Sequence, residues 1–324
     1  MRRFRSILFY TRGKKEELGA LEKAVDLAQR NCARLTVVGV LRELPRDLRS
    51  LAAALPIDAL QEEGVNELGE QLNAFVAPVR REGLDLAVKP LCGTPFVEII
   101  REALRCQHDL VMMAAEGGLR NAFLGGTSMR LMRKCPCPVW VIKPGQRVRF
   151  AQVMAAVDPV PDDPVRRSVN MTVMNLATSL TRSEGGELHI VHACDTQSID
   201  LLCAPWGAML MSKDGQAMMA GEKEERESLL ESRHRQWVDE LLAGFDLSGI
   251  KHEIHISRDA PTHLIPKLAA AHEIDLIVMG TLARAGIAGF LMGNTSEEVL
   301  QQVNCSVLTV KPEGFVTPVT IGKT

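Results

Sequence analysis

The chain has 324 residues, 46% of them hydrophobic and 24% charged, which predicts two domains and excludes a mainly disordered protein. Aromatic residues make up only 4%, which disfavours single-stranded nucleic acid as a partner, because such sites stack bases on aromatic rings. The first 147 residues carry 23 basic and 17 acidic side chains, whereas the remainder carries 15 and 23. This asymmetry favours docking between the halves, although two unrelated solvated surfaces explain it equally well.

Strand and helix patterns alternate along the chain. The first half predicts strands at Ser6–Tyr10, Leu35–Leu41, Leu84–Lys89, Leu110–Ala114 and Val139–Ile142, and helices at Glu16–Arg30, Ile57–Arg81, Pro95–Arg105 and Gly126–Lys134. The second half predicts strands at Gln152–Val157, Leu188–His192, Lys251–Ile256, Leu276–Met279 and Val307–Val310, and helices at Val165–Thr181, Glu222–Ala243, Pro261–Ala271 and Thr295–Gln302. Continuous apolar strands are typical of a parallel sheet that helices cover on both faces. The pattern therefore predicts an α/β protein of two tandem, doubly wound, Rossmann-type parallel-sheet domains.

An internal repeat supports this division. The segments Asp109–Met113 and Asp275–Met279 match at an offset of 166 residues, and Cys137–Pro144 matches Cys305–Pro312 at an offset of 168. A repeat of this length indicates a duplicated domain rather than a solenoid. We place the domains at residues 1–147 and 148–324, with the linker at Arg147–Ala151.

Targeting and redox signals are weak. The apolar run Ile7–Tyr10 is too short for a signal peptide, and the sequence contains no apolar stretch long enough to span a membrane. Only Cys135 and Cys137 are closely spaced among eight cysteines, and one intervening proline does not give the spacing of a zinc or redox pair. We therefore expect a cytoplasmic protein in a reducing environment.

A glycine-containing loop follows one strand of the second half. Gly280 ends this strand, where the backbone can approach a ligand closely, and Gly293 lies just before a helix whose first N–H groups can bind phosphate. Thr295 and Ser296 add hydroxyls. The G-x-x-x-x-G-K-[S/T] signature is absent, which excludes a Walker A loop.

This order of strand, glycine loop, helix and Cys-x-Val strand resembles the ATP-binding signature of the universal stress protein family. Asp158 matches the family aspartate that contacts the base and ribose. The tandem arrangement, the sequence Gly293–Glu297 and the tail Lys311–Pro318 are similar to members that carry two domains in one chain. The resemblance implies an intramolecular pseudo-dimer in which the last strands of the two domains, Val139–Ile142 and Val307–Val310, pair.

Several positions of the second half correspond to family binding residues, and some depart from the family pattern. Ala283 stands in place of a glycine and Asn294 in place of Ser or Thr, whereas Arg284 is a basic position that can reach phosphate. Glu297 and Glu298 weaken phosphate binding, or form a helix capping box with Thr295. The resemblance implies a partly degenerate pocket made by Asp158, Ala193, Met279, Gly280, Ala283, Arg284, Gly293, Asn294, Thr295 and Ser296.

The first half departs further from the family pattern. Arg12 stands where the second half has Asp158, Ala114 stands where it has Gly280, and the loop is two residues shorter. We therefore expect the first half to be a structural partner. The function that follows is a non-catalytic, regulatory stress-response protein that binds ATP or another adenine nucleotide in its second half.

Other functions stay open. The Met-rich segment Leu201–Ala220, with Met209, Met211, Met218 and Met219, is either a lid over a pocket for an acyl or lipid-like ligand or ordinary core. An interaction scaffold without nucleotide and a weak ATPase are further alternatives, and protein partners or a homo-oligomer are compatible with each. We expect no metal, because His189 and His192, like His252 and His255, lie three apart on strands and point to opposite faces.

Overall fold

The computed structural model describes residues 4–43, 57–116, 126–143, 145, 149–194, 213–281 and 293–321. Its strands are β1 (Ser6–Tyr10), β2 (Arg34–Leu41), β3 (Leu86–Cys92), β4 (Leu110–Ala114), β5 (Val139–Ile142), β6 (Gln152–Ala156), β7 (Glu187–Ala193), β8 (Lys251–Ser257), β9 (Leu276–Gly280) and β10 (Ser306–Val310). Its α-helices are α1 (Leu18–Asn31), α2 (Ile57–Val76), α3 (Pro95–Arg105), α4 (Gly126–Lys134), α5 (Pro164–Glu184), α6 (Lys213–Leu242), α7 (Pro261–Ala271) and α8 (Asn294–Gln302). Within this part of the chain, no helix is long and apolar enough to cross a membrane.

The chain divides into two compact units. The first contains β1 to β5 and also β10, in the order β3-β2-β1-β4-β5-β10. The second contains four parallel strands in the order β9-β6-β7-β8. The predicted α/β fold with parallel sheets is confirmed, and the domain boundary at residue 147 stays a prediction.

The last strands of the two repeats pair with each other. β10 runs antiparallel to β5, with Val307 opposite Val141 and Leu308 opposite Trp140. The side chains of both strands are buried, so the pairing combines backbone hydrogen bonds with apolar burial. This is the strand pairing that the family resemblance implies.

Local sequence sets the ends of the helices. Asp163 caps α5 by accepting hydrogen bonds from the N–H groups of Val165 and Arg166, Pro164 occupies the first helical position, and Gly185 ends the helix with φ of 61°. Helix α2 ends at Val76, five residues before the predicted end, because Pro78 lies in a 3₁₀ turn that follows.

Helix α6 differs most from the prediction. It begins at Lys213, nine residues before the predicted start, so Gly215 and Gly221 lie inside it. The predicted start at Glu222 is therefore wrong. A glycine inside a helix costs only about 1 kcal/mol relative to alanine, and a helix of 30 residues tolerates that cost.

Candidate functional site

The carboxyl ends of β6, β7 and β9 meet at one edge of the second sheet. Ala156 of β6 lies beside Met279 of β9 and Val191 of β7, because these strands are parallel and adjacent. Asp158 follows β6 by two residues, Ala193 ends β7 and Gly280 ends β9. We call this edge the carboxyl edge; ligands bind here in open parallel sheets.

Asp158 has defined partners at the carboxyl edge. Its N–H donates to Asn170 Oδ1 at 2.9 Å, which fixes the backbone after β6. Its Oδ2 accepts from Arg166 Nη1 at 2.9 Å, and the Nε of Arg166 lies 3.1 Å from Asp163 Oδ2. The carboxylate of Asp158 is about half exposed, so it remains accessible from solvent.

Two histidines that no sequence motif links to Asp158 lie beside it. His192 Nδ1 lies 3.0 Å from the carbonyl oxygen of Val157, and since a carbonyl only accepts, this nitrogen carries the proton. His192 Nε2 then accepts from His234 Nδ1 at 2.7 Å. Burial lowers the pKa of His234, and nearby His192 lowers it further, whereas Asp158 opposes the shift. The ring of His234 also packs edge-on against Trp237, with centroids 4.7 Å apart.

The glycine loop ends at the first turn of α8. Gly293 is the N-cap, and its N–H donates to Thr281 O at 3.2 Å. Gly293 has no side chain that could cap the helix, so no N-cap side chain competes with a ligand for the N–H groups of the first turn. The hydroxyl of Ser296 donates to Gly280 O at 3.2 Å. The alternative of a capping box that begins at Thr295 is wrong, because Thr295 lies inside the helix.

Packing explains the glycine at position 280. A Cβ added there would lie 2.5 Å from Val169 Cγ1 of α5, so a larger residue would collide with the helix. Glycine is therefore required by the approach of α5 to β9, and its presence alone does not indicate a ligand.

Ala283, Arg284 and the segment 201–212 lie outside the described residues, as do the side chains of Met218 and Met219.

At the corresponding end of β1 in the first half, a buried carboxylate of the same chain binds the residues that follow the strand. Glu17 is buried, and its carboxylate accepts from Thr11 Oγ1 at 2.6 Å, from the N–H of Arg12 at 2.8 Å and from Arg12 Nε at 2.7 Å. At the start of α4, the N–H of Thr127 donates to Glu116 Oε2 at 3.0 Å. In the first half, two carboxylates of the chain thus bond the residue after β1 and the first turn of α4.

Comparison with known proteins gives the family. The model of the universal stress protein family matches residues 3–143 and 150–311. The chain belongs to the universal stress protein family. Universal stress protein E of Photorhabdus laumondii is 24% identical over 328 residues and is covered completely, as is this chain. Universal stress protein E of Escherichia coli K12 is 22% identical over 323 residues, with 98% of each chain covered.

Solved structures show the same fold. A functionally unknown protein of Pseudomonas aeruginosa PAO1 has a TM-score of 0.69 at 23% identity, covering 97% of this stress protein and 95% of that chain. A universal stress protein of Archaeoglobus fulgidus has a TM-score of 0.58 at 21% identity, covering 94% and 98%. The predicted tandem architecture and the likeness to universal stress protein E are confirmed.

Proposed function

We propose that this universal stress protein binds one adenine nucleotide at the carboxyl edge of its second half. The observation that carries the proposal is the contrast between the halves. In the second half, the Asp158 carboxylate is half exposed and the N-cap of α8 carries no side-chain hydrogen bond. In the first half, Arg12 stands at the position of Asp158 and binds the buried Glu17, and Glu116 accepts from the first turn of α4.

The chemistry of the second half suits the two ends of a nucleotide. Asp158 can accept hydrogen bonds from ribose hydroxyls or the adenine amino group, and the first turn of α8 can bind phosphate through N–H groups. The ion pair with Arg166 does not block this, because an exposed pair contributes only about 0.2–1 kcal/mol and a ligand can displace it.

Glu297 and Glu298 set a limit on affinity. Glu297 places a negative charge in the first turn of α8, where it opposes an anionic ligand by about 0.3–1 kcal/mol, and Glu298 follows just after that turn. That repulsion lowers phosphate affinity several-fold without abolishing it. The proposed pocket is therefore partly degenerate, and it favours nucleotides with fewer phosphate charges.

We also propose that binding is regulatory rather than catalytic and occurs in the cytoplasm. At the start of α8, where phosphate would bind, the described groups are N–H groups and hydroxyls, whereas the candidate bases are Asp158 after β6 and His234 beside His192 of β7. None of the seven described cysteines forms a disulfide, which fits a reducing compartment. Protein partners and a homo-oligomer stay predictions from the sequence.

Calorimetric titration of the full chain with ATP, ADP and AMP tests the proposal. We expect one equivalent per chain and a loss of about 10- to 100-fold in affinity for Asp158→Asn, since hydrogen bonds to charged groups contribute about 1.5–3 kcal/mol. Asp246→Asn is the matched control, because Asp246 is an exposed aspartate of the same unit that pairs with Arg182 instead. Equal affinity for both variants would contradict the assignment of Asp158.

Native mass spectrometry of the purified chain separates the alternatives. A retained nucleotide supports the proposal, whereas a retained acyl or lipid-like mass favours the apolar pocket. A chain with neither mass and no calorimetric binding favours the interaction scaffold. Release of phosphate from ATP, lost in Asp158→Asn, favours the weak ATPase.

A further inference from the structure

We propose that His189, Glu253, His255 and His272 form a binding site for a divalent transition-metal ion of the zinc type. These four residues belong to the second unit and lie away from the carboxyl edge, near the amino ends of β6 and β7. We call them the histidine cluster. Their ligand atoms all lie within 4.8 Å of one another.

Strand register brings the cluster together. His189 of β7 lies directly opposite Glu253 of β8, and His255 follows two residues later on the same face of β8. His272 is the C-cap of α7, a helix that packs on β7. The rings of His189 and His272 have centroids 4.6 Å apart, and those of His255 and His272 are 4.9 Å apart.

The expectation of no metal considered only pairs on one strand. His189 and His192 do point to opposite faces, since His189 contacts His255 whereas His192 contacts His234. The metal-binding partners come instead from the neighbouring strand and from the end of a helix. That register cannot be deduced from spacing within a single strand.

The distances approach those of a tetrahedral site. His189 Nδ1 lies 3.1 Å from His255 Nε2 and 3.9 Å from Glu253 Oε2, and His255 Nε2 lies 3.7 Å from the same oxygen. Ligand bonds of about 2.0–2.2 Å at tetrahedral angles separate the ligand atoms by roughly 3.3–3.6 Å. Rotation of the half-exposed Glu253 side chain and of the His272 ring, whose ligand atom lies within 4.8 Å of the others, would complete the coordination.

Outer hydrogen bonds orient the most buried ligand. His189 Nε2 lies 2.8 Å from Gln152 Oε1, and Gln152 also hydrogen-bonds the carboxylate of Glu187, which accepts from Lys251 Nζ at 2.7 Å. Because a carboxylate only accepts, Gln152 presents its NH₂ to Glu187 and its oxygen to His189. The proton of His189 therefore lies on Nε2, and the lone pair of Nδ1 faces the cluster. Metal-binding histidines are oriented by outer contacts of this kind.

The types of ligand agree with a zinc-type ion. Three imidazoles and one carboxylate favour zinc, copper or nickel over calcium and magnesium, which prefer oxygen ligands. Four protein ligands are typical of a structural site, which here would tie the outer strand β8 to β7 and α7.

Metal titration of the full chain after chelator treatment tests the site. Calorimetry measures Zn²⁺ binding, and Co²⁺ serves as a coloured substitute whose visible absorption reports tetrahedral coordination. The variants are His255→Gln and Glu253→Gln. The matched control is His252→Gln, which removes an exposed histidine of the same strand whose Nδ1 contacts its own segment at Ile250 O.

We expect one tight equivalent in the native chain and in His252→Gln, with affinity at least about 100-fold weaker in His255→Gln. Gln152→Leu should weaken binding by about 10- to 100-fold, as for other outer contacts. Zinc should raise the melting temperature of the native chain and of the control, but not that of His255→Gln. If His255→Gln does not fold, Glu253→Gln, which alters a half-exposed side chain, decides the question by the same titration.

Two results would overturn the site. One is a native chain that binds zinc no more tightly than the variants of the cluster. The other is an equal loss in His252→Gln, which would assign the binding to surface histidines. If His255→Gln lowers stability and no zinc binds to the native chain, the 3.1 Å contact with His189 is an ordinary hydrogen bond.

Discussion

The two halves of this stress protein use the end of the first strand in opposite ways. In the first half, a basic residue, Arg12, follows β1 and pairs with Glu17, whose side chain is only 4% exposed. In the second half, an acidic residue, Asp158, follows β6 and pairs with Arg166, and the two side chains are 48% and 25% exposed. The reversal of charge leaves an exposed carboxylate in the second half, whereas the first half has a buried carboxylate that binds its own chain.

The helix starts differ in the same direction. In the first half, Glu116 accepts from the N–H of Thr127 in the first turn of α4, where the second half has the N-cap Gly293 without a side-chain cap. A carboxylate at a helix start satisfies the same N–H groups that would otherwise bind phosphate. One copy of this duplicated fold thus bonds both its first strand end and its helix start with its own carboxylates.

The two halves should differ most in how much the free energy of unfolding falls when each ion pair is broken. Glu17→Gln should lower the free energy of unfolding by about 2–4 kcal/mol, because three hydrogen bonds to a buried carboxylate are lost or weakened. Arg166→Gln should cost only about 0.2–1 kcal/mol, because its pair is exposed. Urea unfolding of the full chain measures both, and equal costs would break the comparison.

The stability cost of an alanine at position 280 should also distinguish the second half from the first. Gly280→Ala should cost about 1–3 kcal/mol, because the new methyl group would lie 2.5 Å from Val169 Cγ1, and valine has little rotamer freedom in a helix. The first half already carries Ala114 at the equivalent place. The double variant with Val169→Ala should cost less than the sum of the single variants. Strict additivity in thermal unfolding would show that the predicted collision does not occur.

The smallest effect concerns acid stability in the first half. Burial lowers the pKa of His108, which hydrogen-bonds Ser6 and lies near Glu102, Asp109 and Arg34. The folded state therefore binds fewer protons than the unfolded state, so this contribution is present above pH 6.5 and is lost as the pH falls through the lowered pKa. His108→Gln should reduce the decrease in stability between pH 7 and pH 5. An unchanged pH profile would show that His108 does not contribute.

Most of the fold could be predicted from the sequence, because continuous apolar runs define buried strands. Strands β1, β4 and β5 have the predicted bounds, and most others differ by one or two residues. The start of α6 differs from the prediction because Gly215 and Gly221 disfavour a helix in the sequence, whereas the 30-residue helix contains both. β10 was assigned to the second domain by sequence order, yet it packs with the first unit.

The candidate site was only partly predictable. The match to a family signature identified Asp158 and the helix start after Gly293, and the structure brings them to neighbouring strand ends. Arg166 and His234 were missed, because no short sequence motif links them to Asp158. Gly280 was assigned to a ligand, but its neighbour Val169 comes from a helix whose packing the sequence does not specify.

Photoaffinity labelling tests most directly whether nucleotide binding is confined to the second half. The full chain is irradiated with an azido-adenine nucleotide, and the labelled peptides are mapped. We expect label only in the second half, near the ends of β6, β7 and β9, reduced by excess ATP and by Asp158→Asn but not by Asp246→Asn. Label within residues 4–43 or 57–116, or undiminished label of the second half in Asp158→Asn, would contradict it.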